Sequence, residues 1–266
     1  MYEEFFGMEK TPFLNTIPTE ALYLSENHKE ILGRLGYAAK ANMFAVVTAG
    51  VGVGKSTLVR KFKQTLDPEK YTVLYLSDSK LTPRWFYKGL LDQLGIESKF
   101  YRGDAKRQLH RQLSVIMDIH HKKVVVIVDE AHLLDRETLE EIRFVLNTNM
   151  DSANPMCLIL VGQSELWDRL RMQACSAIRG RIDLKCELPG MDRSELESYI
   201  KAHLLFAGSH GDIFTDNALD ELFKFSAGSA RAVNKAATHC LMFAAQKAKK
   251  LVDDHMVKTV IEAELP

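Results

Sequence analysis

A glycine-rich segment joins a run of apolar residues to a helical pattern. It reads AGVGVGKS over residues 49–56 and fits the pattern G-x-x-x-x-G-K-[ST] at every position except the first, where Ala49 replaces glycine. The backbone N–H groups of such a loop point inward, and the N-terminus of the following helix favours a phosphate group. Lys55 can reach the β- and γ-phosphates of a nucleotide, and Ser56 can offer its hydroxyl to Mg²⁺. The segment therefore predicts a phosphate-binding loop.

We expect nine consecutive residues to form this loop and its junction with the helix. They are Ala49, Gly50, Val51, Gly52, Val53, Gly54, Lys55, Ser56 and Thr57. Two of the glycines, Gly52 and Gly54, allow backbone conformations that a Cβ atom would forbid. If Ala49 needs a positive φ, alanine costs about 1 kcal/mol there, which a tightly packed loop can absorb. The strand-to-helix context favours a working loop over a chance glycine-rich turn.

Two adjacent carboxylates follow a second apolar run. The run VVVIV at 124–128 shows no polar alternation, which is typical of a strand buried on both faces of a parallel sheet. Asp129 at its end can hold Mg²⁺ through water, and Glu130 can polarise the water that attacks the γ-phosphate. Adjacent strand residues point to opposite sides, so we expect the two roles to be separable. His132 completes a D-E-A-H string and is interpreted as a histidine at a helix start, without a role.

Alternating strand and helix patterns must position these groups. The apolar, β-rich runs are 43–48, 71–76, 124–128, 157–161 and 182–188. The helical patterns between them are 55–66, 83–94, 108–120 and 136–147. This order predicts an α/β fold, a P-loop core with a five-stranded parallel sheet covered by helices on both faces.

The pattern changes to helices alone after Leu188-Pro189-Gly190. The candidate helix starts are Asp192, Thr215, Gly228 and Asp253. We therefore predict three regions along the chain. They are an N-terminal segment at 1–42, an α/β domain at 43–189 and a small helical lid domain at 190–266.

Composition excludes several classes of protein. Lys plus Arg number 35 and Asp plus Glu 35, so the net charge carries no nucleic-acid signature, although a neutral total can contain a local basic groove. The four cysteines are scattered, which predicts a reduced protein without a structural zinc site. The acidic N-terminus MYEEFFGMEK lacks the order of a signal peptide, and no apolar run approaches the ~20 residues of a membrane helix. We expect a soluble, cytoplasmic protein that does not associate with a membrane.

Four further segments together resemble one protein family along nearly the whole chain. They are the opening YEEFFGMEKTPF with LYLSENHKEILGRLGYA, then LILVGQSEL, IRGRIDLKCELPGMD and GSARAVNKAA. With the phosphate loop, they resemble the ExeA-type branch of the AAA+ ATPases. That branch includes secretion ATPases and short transposition helpers related to TnsC, TniB and MuB. The resemblance implies ATP and Mg²⁺ as cofactors, slow ATP hydrolysis that depends on assembly, and a homo-oligomer in the form of a ring or a filament.

The resemblance also implies catalytic roles for polar residues outside the two motifs. Gln163 matches the sensor-1 residue near the γ-phosphate and the attacking water; a strand-end amide without a role is the alternative. Arg181, or failing it Arg179, matches the arginine finger that enters a neighbouring subunit's site. A cation at the transferring phosphoryl group can accelerate hydrolysis by ~10³ or more. A solvated surface arginine is the alternative interpretation there.

Three more residues are expected to contact the nucleotide by the same resemblance. Arg231 matches the G-x-x-R position of the lid helix, from which it would reach the phosphates, unless it only caps its helix. Leu22 and Tyr23 would flank the adenine. Packing in the core is an equally good interpretation of these two residues.

The family branch decides the expected biological role. We expect neither the membrane span nor the cell-wall-binding region of the longer secretion ATPases, so the chain resembles the transposition helpers. We therefore expect an ATP-dependent DNA-binding ATPase that oligomerises on duplex DNA and regulates or recruits a transposase. Lys80, Lys99 and Arg102 are the candidate phosphate contacts, with a solvated basic loop as the alternative.

Two other functions stay open at the level of sequence. One is a cytosolic ExeA-like ATPase of a secretion or envelope-assembly system without a DNA role. The other is a small-molecule kinase, which is weaker because a kinase has no use for an arginine finger and a sensor-2 lid.

Overall fold

The computed structural model describes residues 2–14, 16–77, 81–146 and 154–265, and it has a parallel β-sheet of five strands. The strands are β1 (Phe44–Ala49), β2 (Tyr71–Leu76), β3 (Lys123–Val128), β4 (Cys157–Gly162) and β5 (Leu184–Leu188). Their order in the sheet is β2-β3-β4-β1-β5, and every neighbouring pair is parallel. The predicted α/β class and strand number are confirmed.

The apolar runs become central strands because helices cover both faces of the sheet. All residues of β1 and β4 are buried, as are all of β3 except its first. In register, Val126 of β3 lies beside Leu158 of β4, and Leu160 lies beside Val46 of β1. Since the strands are parallel, β1, β3 and β4 all end at the same edge of the sheet. Residues that follow β3 and β4 are thereby brought together.

Helices follow the strands as the sequence pattern predicts. Those of the first part of the chain are α1 (Tyr2–Phe6), α2 (Glu26–Ala41), α3 (Lys55–Thr65), α4 (Pro83–Gln93), α5 (Arg102–Ser114), α6 (Arg136–Leu146), α7 (Ser164–Arg171) and α8 (Ser176–Arg179). Thr82 caps α4 by accepting the N–H of Trp85, and proline at the first helical position needs no donor. Helix α5 begins six residues before the predicted start and ends in a π turn at Val115–Ile119.

Contacts divide the chain into two compact units. One unit comprises Met1–Asn27, Gly50–Thr57 and Pro189–Pro266, and the other comprises His28–Ala49 and Leu58–Leu188. Each unit has its own apolar core. The three regions predicted from the sequence stay a prediction.

The helices after Pro189 start where their capping residues stand. They are α9 (Arg193–Phe206), α10 (Asp216–Ser226), α11 (Ala230–Gln246) and α12 (Asp254–Glu264). The side chains of Asp192, Thr215, Ser229 and Asp253 each accept a backbone N–H of the first turn. Three of the four predicted starts are these caps, and the fourth, Gly228, precedes its cap by one residue. Among the described residues, no helix has the length and apolar character needed to cross a lipid bilayer.

Candidate functional site

The phosphate loop joins β1 to α3 as the motif requires. Strand β1 ends at Ala49 and α3 begins at Lys55. Ala49 is buried and pairs with Leu188 of β5 as the last residue of its strand. Ala49 does not have a positive φ. The strain anticipated for alanine at this position does not arise, because the residue is extended.

Glycine is required inside the loop for two reasons. Gly52 and Gly54 have φ of 73° and 123°, in the region that L side chains rarely adopt. A Cβ atom on Gly52 would also lie 2.4 Å from Oγ of Ser229 and 2.9 Å from Cβ of Arg231. The loop therefore tolerates no side chain at Gly52.

The start of α11 lies directly on this loop. The N–H of Arg231 donates to the carbonyl oxygen of Gly52 at 3.0 Å, and Oγ of Ser229 donates to that of Val51 at 3.3 Å. Nζ of the buried Lys55 donates to the carbonyl oxygen of Gly50 at 2.9 Å. The backbone of Arg231 thus contacts the loop, while the residue as a whole is exposed.

The first carboxylate after β3 is buried and held in a fixed orientation. Oδ2 of Asp129 accepts the hydroxyl of Tyr75 at 2.7 Å, and Oδ1 accepts the N–H of Glu130 at 2.8 Å. Burial, and then the bond to Asp129, raise the pKa of Tyr75 above its usual value. Tyr75 therefore stays a donor to Asp129 at neutral pH. This orientation by a neighbouring strand was not visible in the sequence pattern.

The second carboxylate lies beyond the strand, in a left-handed backbone conformation. Strand β3 ends at Val128, and Glu130 has φ 51° and ψ 31°. Strand alternation is the wrong reason for separating Asp129 from Glu130, because neither residue belongs to the strand. The separation of their roles stays a prediction. The chain turns at Glu130 instead, which costs about 1–3 kcal/mol and is typical of functional positions.

His132 links the residues that follow β3 to those that follow β4. Its Nδ1 atom lies 3.5 Å from Oε2 of Glu130 and accepts the N–H of Gln163 at 3.4 Å. The guanidinium of Arg169 donates to the carbonyl oxygens of His132 and Leu134, which holds the 3₁₀ turn Ala131–Leu133 in place. The sequence analysis assigned His132 no role, although the D-E-A-H string was the available signal.

A glycine permits this close approach. A Cβ atom on Gly162, the last residue of β4, would lie 2.9 Å from Cδ2 of Leu166 and 3.1 Å from the backbone nitrogen of His132. Gln163 follows as the N-cap of α7 and is half-buried. The expected sensor residue therefore lies beside the turn that carries Glu130.

The two finger candidates lie at the end of α8. The guanidinium of Arg179 donates to the carbonyl oxygen of Arg171 at 2.6 Å. The N–H of Arg181 donates to the carbonyl oxygen of Ile178 at 3.0 Å, and the residue is half-buried. The choice between Arg181 and Arg179 stays a prediction.

The N-terminal segment expected to flank adenine is fixed to helix α9. Leu22 and Tyr23 are half-buried, and the rings of Tyr23 and Tyr199 meet edge to face at 6.0 Å. Further along α9, Nδ1 of His203 accepts the N–H of Phe13 at 3.2 Å. The ring of Tyr23 is therefore packed against Tyr199, and the contact of Leu22 and Tyr23 with an adenine base stays a prediction.

The three expected DNA contacts have different surroundings. Lys80 lies outside the described residues. Lys99 is exposed and precedes α5. Arg102 begins α5, where its guanidinium pairs with Glu137 at 3.0 Å and lies 3.8 Å from Glu141. Lys99 is therefore the better placed of the two described cations for an external phosphate.

The sheet order, the phosphate loop and the carboxylates after β3 define a nucleotide-binding domain of the AAA P-loop fold. Residues 39–170 match the family model described as an AAA domain. The chain is also 31% identical over 251 residues to general secretion pathway protein A of Aeromonas hydrophila. The match covers 92% of this chain and 45% of that protein, so the chain spans less than half the length of this relative. Part of the chain is thus similar to an AAA domain, and most of it is similar to one part of general secretion pathway protein A.

Solved structures with the same fold include two ORC structures. The Drosophila ORC structure bound to DNA matches with a TM-score of 0.70 and 18% identity, over 98% of this chain and 64% of that one. The Aeropyrum pernix ORC2 protein in its ADPNP and ADP complexes matches with a TM-score of 0.64 and 15% identity, over 98% and 71% of the two chains. At these identities the similarity concerns the fold alone.

Proposed function

We propose that the protein is an ATP-dependent DNA-binding AAA+ ATPase that oligomerises on duplex DNA and regulates or recruits a transposase. One observation carries the ATPase part of this proposal. A glycine loop of the required backbone geometry follows β1, and a buried carboxylate followed by a second, half-exposed one comes after β3. Parallel strands bring these two strand ends to the same edge of one sheet.

The residues of the two motifs divide the work of hydrolysis. Lys55 binds the β- and γ-phosphates, and the hydroxyl of Ser56 with the carboxylate of Asp129 suits Mg²⁺, which prefers oxygen ligands. Bound Mg²⁺ would neutralise charge on the phosphates. Glu130 accepts a proton from the attacking water, and Gln163 orients that water. The hydroxyl of Tyr75 donates to Oδ2 of Asp129 and the N–H of Glu130 to Oδ1, and these two bonds orient the carboxylate.

Assembly completes the site in this proposal. Arg181 enters the nucleotide site of a neighbouring subunit, and Arg231 reaches the phosphates from the start of α11. Hydrolysis is therefore slow in the isolated chain and faster in the oligomer. On DNA it serves to take the oligomer apart.

Support for a DNA role comes from an exposed cation and from the fold. Lys99 is exposed, and a cation of this kind binds any DNA phosphate without regard to sequence. The similar Drosophila ORC structure is a complex with DNA, which supports the proposal at the level of the fold.

A second candidate function is favoured by the sequence relative. The 31% identity to general secretion pathway protein A supports a cytosolic ATPase of a secretion or envelope-assembly system without a DNA role. In that case ATP hydrolysis by the same residues would regulate an assembly of proteins.

Binding of duplex DNA separates the two candidates. The full chain, mixed with a non-hydrolysable ATP analogue and duplex DNA at low salt, should coat the DNA in electron micrographs, and a Lys55→Ala variant should not. Lys99→Ala should weaken binding alike for all sequences and lower its salt dependence. We expect a smaller effect from Arg102→Ala, because Glu137 already engages that guanidinium. If the parent protein shows no affinity for duplex DNA at low salt, the secretion-type function replaces the first proposal.

A further inference from the structure

Three large aromatic side chains are exposed on two adjoining segments of the chain. Trp85 on α4 is 49% exposed, and Phe100 and Tyr101, which precede α5, are 68% and 71% exposed. Burial of such rings is strongly favourable, so their exposure together indicates a binding surface. Helices α4 and α5 pack against each other, which places both segments on the same side of this unit.

Cations lie over these rings and join the two segments. The guanidinium of Arg84 lies 4.3 Å from the centre of the Phe100 ring, and Nζ of Lys88 lies 4.6 Å from that of Trp85. The rings of Phe100 and Tyr101 meet edge to face at 5.3 Å. We call the resulting surface the aromatic face. It consists of Arg84, Trp85, Lys88, Lys99, Phe100 and Tyr101.

The aromatic face is positively charged. Residues 84–88 and 97–101 contain three cations and one carboxylate, Glu97. Within the part of the chain that the structure describes, Arg84, Lys88 and Lys99 have no ion pair. Two carboxylates of the adjoining helices, Asp104 and Glu137, are already paired with Arg107 and Arg102. The face therefore suits an anionic partner.

We propose that the aromatic face binds DNA through unpaired bases. This selectivity for DNA with unpaired bases rests on the proposed DNA-binding function and refines it. Cations attract the phosphates of any DNA, but the flat ring of an exposed side chain stacks only on a base that has lost its neighbour. In an intact duplex the bases are stacked on each other. Duplex DNA then uses the phosphate contacts alone, whereas a single strand or a distorted duplex also uses Trp85, Phe100 and Tyr101.

Trp85 supplies a direct measurement of this stacking. The chain has two tryptophans, and the second, Trp167, is partly buried under Lys185. In a Trp167→Phe background, all tryptophan fluorescence comes from Trp85. Titration with oligothymidylate should quench it, because a stacked base deactivates the indole. Inorganic polyphosphate, which has charge without bases, should bind without quenching.

Variants separate stacking from charge. Phe100→Leu with Tyr101→Leu keeps apolar bulk on an exposed surface and removes the rings. It should weaken oligothymidylate binding about tenfold or more and duplex binding by less than about twofold. The matched Lys99→Ala variant should weaken both ligands to a similar degree. Circular dichroism should show that both proteins are folded.

The outcomes distinguish this inference from the function on which it rests. Equal oligothymidylate binding by the leucine variant, or binding by the parent protein without quenching of Trp85, overturns the inference and leaves duplex binding intact. Duplex binding without oligothymidylate binding also overturns the inference. If neither form of DNA binds, both the proposed DNA-binding function and this inference fail.

Discussion

Nδ1 of His132 lies 3.5 Å from Oε2 of Glu130, the carboxylate that we assign to the attacking water. The same atom accepts the N–H of Gln163 at 3.4 Å, so it has no proton to donate to Glu130 in this arrangement. One side chain thus contacts the residues that follow two neighbouring strands. We infer that His132 positions Gln163, beside Glu130, for hydrolysis.

Substitution of His132 should affect turnover more than nucleotide binding. Asparagine places an acceptor where Nδ1 stands, whereas glutamine places it where Nε2 stands. His132→Asn should therefore keep most of the ATPase rate, while His132→Gln and His132→Ala should lower kcat about tenfold with the Kd for ATP unchanged. Steady-state phosphate release and nucleotide titration measure the two quantities. Equal rates in all three variants would contradict a positioning role.

The two motifs should separate binding from chemistry. Lys55→Ala removes the cation of the phosphate loop and should abolish ATP binding. Glu130→Gln keeps size and polarity without a basic oxygen, so it should bind ATP normally and hydrolyse it at least about 10²-fold more slowly. On DNA, the Glu130→Gln complexes should also persist longer. Normal turnover by Glu130→Gln would remove this glutamate from the mechanism.

Hydrolysis should depend on assembly. If Arg181 acts on a neighbouring subunit, specific activity rises with protein concentration, and Arg181→Ala binds ATP but hydrolyses it about 10³-fold more slowly. Arg179→Ala is the matched control, since that guanidinium donates to the carbonyl of Arg171 in the same chain. A preparation held monomeric that turned over at the full rate would refute the finger assignment. A large loss in Arg179→Ala alone would transfer it to Arg179.

Stability should fall on acidification because of a buried histidine. His203 accepts the N–H of Phe13, which has a φ of 60°, and burial lowers the pKa of His203 from 6.5 to about 4. The folded protein binds this proton less readily than the unfolded chain. The contribution of the neutral His203 to the free energy of unfolding is therefore complete above about pH 6.5. It falls by about 1.4 kcal/mol per pH unit between pH 6.5 and pH 4.

A variant isolates this contribution from those of other groups. His203→Asn keeps an acceptor for the Phe13 N–H but cannot be protonated in this range. Free energies of unfolding in urea should fall less steeply with acidification in the variant than in the parent protein. Identical slopes between pH 7 and pH 4.5 would show that His203 does not titrate as described.

Local features of the sequence were sufficient for the elements and for the core of the motifs. Apolar runs without alternation identified the buried strands, because both faces of a parallel sheet are covered. Asp192, Thr215 and Asp253 identified helix starts, because a capping side chain acts on backbone donors only two or three residues away. The phosphate loop could be identified from the sequence in the same way, because its glycines and its lysine lie within eight consecutive residues.

The tertiary structure alone decided which distant side chains meet at the ends of the strands. Tyr75 reaches Asp129 across 54 residues, and His132 reaches Gln163 across 31, because β3 lies between β2 and β4. It also turned Glu130 into a left-handed conformation and paired Arg102 with Glu137. Strand order and side-chain pairing depend on how the whole sheet packs, and no local pattern of residues encodes them.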